Sequence, residues 1–302
     1  MYMSNKRVVI TGANSGLGLE TAKYFLSTGN SVVIAVRDIT KGKSAKEELL
    51  QLFPEGNIDV LYLDLSKLST IYSFAEEFAN KYDVVDLLIN NAGVMIPPYS
   101  KTEEGFELQF GANHLGHFAL TGLLLPLLEK GHHSRVVTLS SIAHRNGVID
   151  FDNLDGEKEY KAMKFYSQSK LANLLFAKEL DDRLKQYGYK TISLAAHPGI
   201  SSTNLFRIGK NKTPWYIKPL MKLFAQSAEK GALPTIMAAT DEELVGGEYI
   251  GPDGAGNRKG NPTIEIPHRK VYNKETMNRL WDVSEQLTSV TYDFQLNKPI
   301  TG

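Results

Sequence analysis

The sequence contains no cysteine, which excludes disulfides and thiolate metal sites and fits a reducing compartment. It has no surplus of charge: 34 Lys and Arg stand against 34 Asp and Glu, so nothing global suggests nucleic acid as a partner. It also lacks a long apolar run. The most apolar stretch, HFALTGLLLPLL (117–128), carries Gly122 and Pro126 and falls short of the roughly 20 residues a spanning helix needs. Strand-like RVVI (7–10) comes almost at once, leaving no room for a signal peptide. The expectation is a cytoplasmic protein without an integral membrane segment. At 302 residues and 42% hydrophobic, the chain can bury a large core.

What is present is alternation. RVVI (7–10), SVVIAV (31–36), IDVLYL (58–63), VDLLI (85–89), RVVTL (135–139) and TISLAA (191–196) read as strands buried on both faces. Segments 17–28, 41–53, 68–81, 103–129 and 166–187 read as helices between them. Right-handed crossovers then give a doubly wound α/β fold: a mostly parallel sheet of about seven strands with helices on both faces. No linker or repeat divides the chain, so residues 1–302 are expected to form a single domain. EYI is the expected last strand, the turn-rich GPDGAGNRKGNP (251–262) opens a C-terminal extension over 251–302, and the end from about Thr288 reads as a loose tail.

TGANSGLG (11–18) sits where the first strand meets the first helix. A sharp strand-to-helix turn presents unpaired N–H groups and the positive dipole end to a phosphate, and glycine lets the backbone approach it. Ser15 lacks glycines on both sides at two residues' distance, so it is not a hydrolase nucleophile elbow.

The spacing Thr-Gly-x-x-x-Gly-x-Gly resembles the short-chain dehydrogenase/reductase family, and further motifs agree in order. NNAG (90–93) follows the fourth strand, YLDLS carries Asp64, NHLGHF (113–118) contains Asn113, LSS (139–141) ends in Ser141, and HPGISST (197–203) matches Pro-Gly-x-x-x-Thr. The resemblance spans about residues 6–250 and implies a Rossmann-type domain binding NAD(P)(H). It implies cofactor contacts from Gly12, Asn14, Ser15, Gly16, Leu17, Gly18, Asp64, Leu65, Asn91, Ala92, Gly93, Pro198, Gly199 and Thr203. AHRNGVIDFDNLDGEKEY, before Tyr166, looks more narrowly like the retinol-dehydrogenase-like reductases, which often carry a membrane anchor.

Three Tyr-x-x-x-Lys pairs compete: Tyr2/Lys6, Tyr160/Lys164 and Tyr166/Lys170. The first precedes the sheet, and the second lies among Lys158, Glu159 and Lys161, as a solvated loop would. The third opens a helix, where i and i+4 share a face, and Ser169-Lys170 completes the family's Tyr-x-x-Ser-Lys. A cation close to a phenol lowers its pKa. The resemblance then implies Tyr166 as acid/base, Ser141 as hydrogen-bond donor to the oxyanion, and Lys170 tuning the phenol and holding the nicotinamide ribose. Asn113 would position a water on the proton path. Ser141 and Tyr166 lie 25 positions apart, about twice the separation in many members, so an extra loop is expected between them.

Strand two ends at Val36, followed by Arg37 and Asp38. Arg37 can fork a 2′-phosphate, which favours NADP(H), while Asp38 could instead hold the ribose of NAD(H). Residues 204–225 carry five basic residues, no acid and four aromatics; they are expected to form a substrate lid favouring a lipophilic carbonyl or alcohol. Their cations read either as a solvated rim or as attraction to an acidic tail or membrane surface. No zinc pattern surrounds His114, His117 or the His132-His133 doublet, so no metal is expected. His197, beside the nicotinamide loop, reads as backbone packing, with contact to substrate as the alternative. The helix over 166–187 is apolar on more than one face, from internal burial or from a homo-oligomer interface. A regulatory NADP(H) sensor of the same fold is the alternative function, but it has no need of Ser141, Tyr166 and Lys170 together.

Overall fold

The computed structural model describes residues 4–200, 226–267 and 271–294. The expected lid (204–225), Thr203 and Tyr2 lie outside the described residues.

One sheet runs through the molecule in the order β3-β2-β1-β4-β5-β6-β7-β8. Its strands are β1 (Arg7–Thr11), β2 (Ser31–Val36), β3 (Ile58–Tyr62), β4 (Leu87–Asn90), β5 (Arg135–Leu139), β6 (Ile192–Ala196), β7 (Tyr249–Pro252) and β8 (Pro262–Glu265). All neighbours pair in parallel except β7 with β8. The described sheet thus has eight strands, one more than about seven. The turn-rich segment after β7 is the bend of a hairpin that returns as β8.

Among the described residues, seven helices flank the sheet: α1 (Gly16–Ser27), α2 (Ile39–Leu52), α3 (Leu68–Lys81), α5 (Gly116–Leu128), α6 (Ala162–Gln186), α7 (Ala228–Thr240) and α8 (Lys274–Thr288), with a single turn, α4 (Leu108–Phe110), before a π segment (Gly111–Leu115). The expected helix over 103–129 therefore starts late. Gly105 adopts a φ of +90° in the preceding turn, and Glu107 caps the new start by accepting the Phe110 N–H at 2.8 Å. α6 begins four residues ahead of Tyr166, because Phe165 extends its buried face.

Residues on the two faces of the central strands feed two cores. Val9, Val33 and Val136 pack with α3 and α5, while Val8, Ile10 and Val137 pack with α1. The outward face of α6 is covered by α8, and Phe176 stacks on Trp281 at 6.0 Å. Internal burial therefore accounts for its apolar faces. The expected loose tail is a correction: Val290, Tyr292 and Phe294 are buried in the first core, and the Tyr292 hydroxyl donates to the Phe118 carbonyl at 2.6 Å. Among the described residues, no helix is long and apolar enough to cross a membrane.

Candidate active site

Strand order reverses between β1 and β4, which opens a crevice beyond their carboxyl ends. A cavity of about 600 Å³ lies there, within the range of cofactor sites. It collects residues spread over most of the sequence. Gly12, Asn14, Ser15, Gly16 and Leu17 line it from the turn after β1, Arg37 from the end of β2, and Asp64 and Leu65 from the end of β3. Asn91, Ala92 and Gly93 line it after β4, Ser141 after β5, Tyr166 and Lys170 from α6, and Pro198 and Gly199 after β6.

Two of the expected residues stand behind this wall. Gly18 is one: a Cβ there would lie 2.6 Å from the Asn91 amide nitrogen. The glycine is needed for close approach of α1 to the loop after β4, whose Asn91 donates to the Thr11 carbonyl at 2.7 Å. Asn113 is the other, on the π segment. Its Oδ1 accepts the Val94 N–H at 2.8 Å, and its Nδ2 donates to the Val94 carbonyl at 2.9 Å and to Ser169 Oγ at 3.0 Å. The amide clamps the loop after β4 to α6.

Thr11 Oγ1 accepts N–H bonds from Asn91 and Ala92, both at 2.9 Å, and sits 2.9 Å from His117 Nε2. His117 Nδ1 donates to the Asn113 carbonyl at 2.8 Å, so Nε2 is the acceptor from Thr11. Burial, opposed by that backbone bond, lowers the His117 pKa to about 4. Neutral His117 thus ties the end of β1 to the π segment. His114 is also neutral, its pKa lowered by burial to about 3, and its Nε2 is paired with Ser284 Oγ at 2.9 Å.

Tyr166 and Lys170 are buried on one face of α6. Lys170 Nζ donates to the Leu139 carbonyl at 3.0 Å, and burial lowers its pKa to about 8. The phenol does not follow the expected direction. Burial raises the Tyr166 pKa, and a hydrogen bond with the Ser141 hydroxyl opposes it. The ammonium sits 5.9 Å from the Tyr166 ring centroid, pointed at a carbonyl instead.

Tyr160 is half-buried rather than solvated. Its hydroxyl donates to the Pro97 carbonyl at 2.7 Å, and burial, with the Glu107 charge nearby, pushes its pKa up to about 12. Its expected partner Lys164 pairs with Asp150 at 3.2 Å, and neither Tyr160 nor Lys164 lines the cavity. Lys6 pairs with Asp86.

Lys41 lines the cavity beside Arg37 but escaped the sequence reading. Asp38 caps α2 by accepting the Lys41 N–H at 3.1 Å and pairs with its ammonium at 2.8 Å. The i, i+3 spacing of Asp38 and Lys41 was the available signal. On the other side, Val94, Met95, Leu108, Ile142, Ala143 and Met163 form an apolar wall. Val94 and Met95 follow β4 closely, and Ile142 and Ala143 follow β5, so these four could have been found from the motifs they adjoin; Leu108 and Met163 come from α4 and α6.

The family model for short chain dehydrogenases matches residues 6–213. Retinol dehydrogenase 12 of Mus musculus is 41% identical over 298 residues, covering 97% of this chain and 89% of its own length. Retinol dehydrogenase 11 of Homo sapiens is 40% identical over 294 residues, covering 97% and 89%. A crystal structure of an uncharacterized protein from Mycobacterium Paratuberculosis is 40% identical, covers 96% of both chains and superposes with a TM-score of 0.80.

Proposed function

Because the chain belongs to the short-chain dehydrogenase/reductase family, in its retinol-dehydrogenase-like branch, we propose that it reduces a lipophilic aldehyde or ketone with NADPH, or runs the reverse reaction. The observation that carries this reading is the meeting of Ser141, Tyr166 and Lys170 on one cavity wall, beside Pro198 and Gly199. A role limited to sensing NADP(H) would not need that trio.

The cavity fits a dinucleotide. Ser15 at the start of α1 makes no side-chain bond to its own helix, so the first-turn N–H groups remain for a pyrophosphate. When bound, the nicotinamide supplies or accepts a hydride. The protein's part is the proton and the charge. Ser141 donates a hydrogen bond to the oxygen on which negative charge grows, and Tyr166 delivers its phenolic proton there, completing the alcohol. Lys170, anchored on Leu139, is assigned to return a proton toward Tyr166 and to hold the ribose hydroxyls. Asn113 fixes the loop and helix between which these groups lie. Pro198, Gly199 and Thr203 are assigned to the nicotinamide end.

Arg37 and Lys41 support NADP(H) over NAD(H). Two cations line the cavity after β2, where they could hold a 2′-phosphate, and the carboxylate that would hold a free ribose diol is paired with Lys41. Among the described residues, the charged lining residues Arg37, Asp38, Lys41 and Asp64 all follow β2 or β3, leaving Lys170 as the charge on the β5 side. The reacting carbonyl is thus met by apolar walls, which favours a neutral, lipophilic substrate. The same reading places one domain in the cytoplasm, in keeping with the cysteine-free sequence; cell fractionation checks the location.

The test is NADPH oxidation with a series of carbonyls. Medium-chain and aromatic aldehydes should give higher kcat/KM than small polar ketones, and NADPH should exceed NADH. Better turnover of the small ketones, or of NADH, would remove the corresponding half of the reading.

A further inference from the structure

We propose that Glu265, on the last strand of the sheet, is the positioning residue that sets both loops carrying the reacting groups; this rests on the carbonyl-reductase reading above. Glu265 lies beyond the segment matched by the family model. Its side chain is 8% exposed, and its two oxygens divide their work. Oε2 accepts from His197 Nε2 at 2.7 Å, and Oε1 accepts from Arg145 Nη2 at 2.8 Å.

Each donor belongs to a loop of the site. His197 follows β6 and directly precedes the cavity-lining Pro198 and Gly199. Its Nδ1 accepts the Gly199 N–H at 3.2 Å, so the ring proton sits on Nε2 and is given to Glu265. A carboxylate–imidazole–amide chain therefore ends at Gly199. Arg145 lies in the short 3-10 turn (Ile142–Asn146) that starts right after Ser141. It also donates to the Gly256 carbonyl at 3.1 Å and to Asn257 Oδ1 at 2.7 Å, within the bend between β7 and β8. The next residue back, His144, donates from Nδ1 to the Ser141 carbonyl at 2.7 Å.

The strand beneath is shaped for this arrangement. His197 is fully buried, its ring 5.0 Å from that of Tyr249. A Cβ on Gly251 would lie 2.0 Å from His197 Nε2, so a side chain there would push the ring off Glu265. Burial alone would raise the Glu265 pKa, but bonds from His197 and Arg145 prevail and hold it at about 2. The group is thus a fixed anion with two directional donors. Apolar contacts would let the two loops slide; a shared carboxylate fixes the angle of each. Hydride and proton transfer are sensitive to such placement, since a misplacement of about 1 Å can cost about 10²-fold.

The experiment compares wild type, Glu265→Ala and Glu265→Gln with an aromatic aldehyde that the wild type reduces. It reads kcat per bound NADPH, KM, NADPH affinity by fluorescence, and the isotope effect with NADPH deuterated at the transferred position. Glu265→Ala should lose about tenfold or more in kcat per bound NADPH. Its isotope effect should grow as hydride transfer limits the rate, while NADPH affinity stays within about threefold. Glu265→Gln keeps an acceptor for His197 and should fall between. Were Glu265 only a structural tie, the variants would lower the folded fraction and leave turnover per bound cofactor and isotope effect unchanged, which overturns the proposal. Where the alanine variant fails to fold, the glutamine variant decides on the same two readouts. Tyr166→Phe runs alongside: undiminished turnover there defeats the reading of the site and not the placement of Glu265.

Discussion

Lys170 Nζ donates to the main-chain carbonyl of Leu139 at 3.0 Å, which ties α6 to the end of the strand that delivers Ser141. The ammonium is therefore set by the sheet and not by the Tyr166 phenol. Tyr166→Phe removes only the hydroxyl, so the fold and NADPH binding should survive while kcat falls by about 10²–10⁴. Tyr160→Phe is the control. It loses a hydrogen bond to the Pro97 carbonyl, worth about 0.5–1.5 kcal/mol of stability, but should leave kcat nearly unchanged. Assay of both for turnover and for cofactor binding checks the choice of tyrosine.

Burial of Lys170 gives stability a defined pH dependence. Its folded pKa of about 8 lies below its ordinary value of 10.5, so between these limits the unfolded chain binds more protons. The destabilising term is fully present below about pH 8 and fades as pH rises. Relative to Lys170→Met, the wild type should gain stability between pH 7.5 and about 9.5. Urea midpoints of the pair at both pH values measure it; a constant difference would mean the lysine is not buried as a titrating group.

Cofactor choice should respond to both cations near the end of β2. Arg37→Ala should lower kcat/KM for NADPH by about tenfold or more while sparing NADH, as loss of a charge-assisted bond worth roughly 1.5–3 kcal/mol requires. Lys41→Ala should do the same more weakly, and it also frees Asp38 from its salt bridge. NADH kinetics of the Lys41 variant should therefore improve, and no change in the NADPH/NADH ratio would count against this assignment.

The C-terminal segment should matter for stability out of proportion to its length. Tyr292 is buried, packs 4.6 Å from Trp281 and 4.9 Å from Phe118, and donates to the Phe118 carbonyl. Tyr292→Ala should destabilise by about 3–5 kcal/mol, as for other large aromatic truncations. Denaturant unfolding reads this directly, and a loss below about 1 kcal/mol would contradict the burial.

The central strands were legible because burial on both faces writes continuous β-branched runs, as in RVVI and SVVIAV. Helix α7 was not, because Gly231 and Pro234 interrupt its pattern; packing against α1 outweighs both. Strand β8 escaped because Pro-Thr-Ile-Glu offers no run, and only its antiparallel partner Tyr249–Pro252 defines it. Val290, Tyr292 and Phe294 alternate over too few residues to signal burial. In the site, the glycine turn, Ser141, Tyr166 and Lys170 were legible from motif and order. The direction of the Tyr166 shift was not, since i, i+4 spacing fixes a shared face but not where an ammonium points. Glu265 acts through partners brought near by the fold, which no spacing reveals, whereas Lys41 was signalled by its i, i+3 spacing to Asp38.

The hairpin of β7 and β8 has a consequence for biosynthesis. The ribosome releases the glycine turn, Arg37 and Tyr166 well before Gly251 and Glu265, so a growing chain holds the phosphate-binding turn while both reactive loops still lack their shared carboxylate. The cavity-lining segments are thus synthesised before the carboxylate that ties two of their loops together. Nicking the bend between β7 and β8 in the finished protein should part the two again, with NADPH still held and turnover reduced.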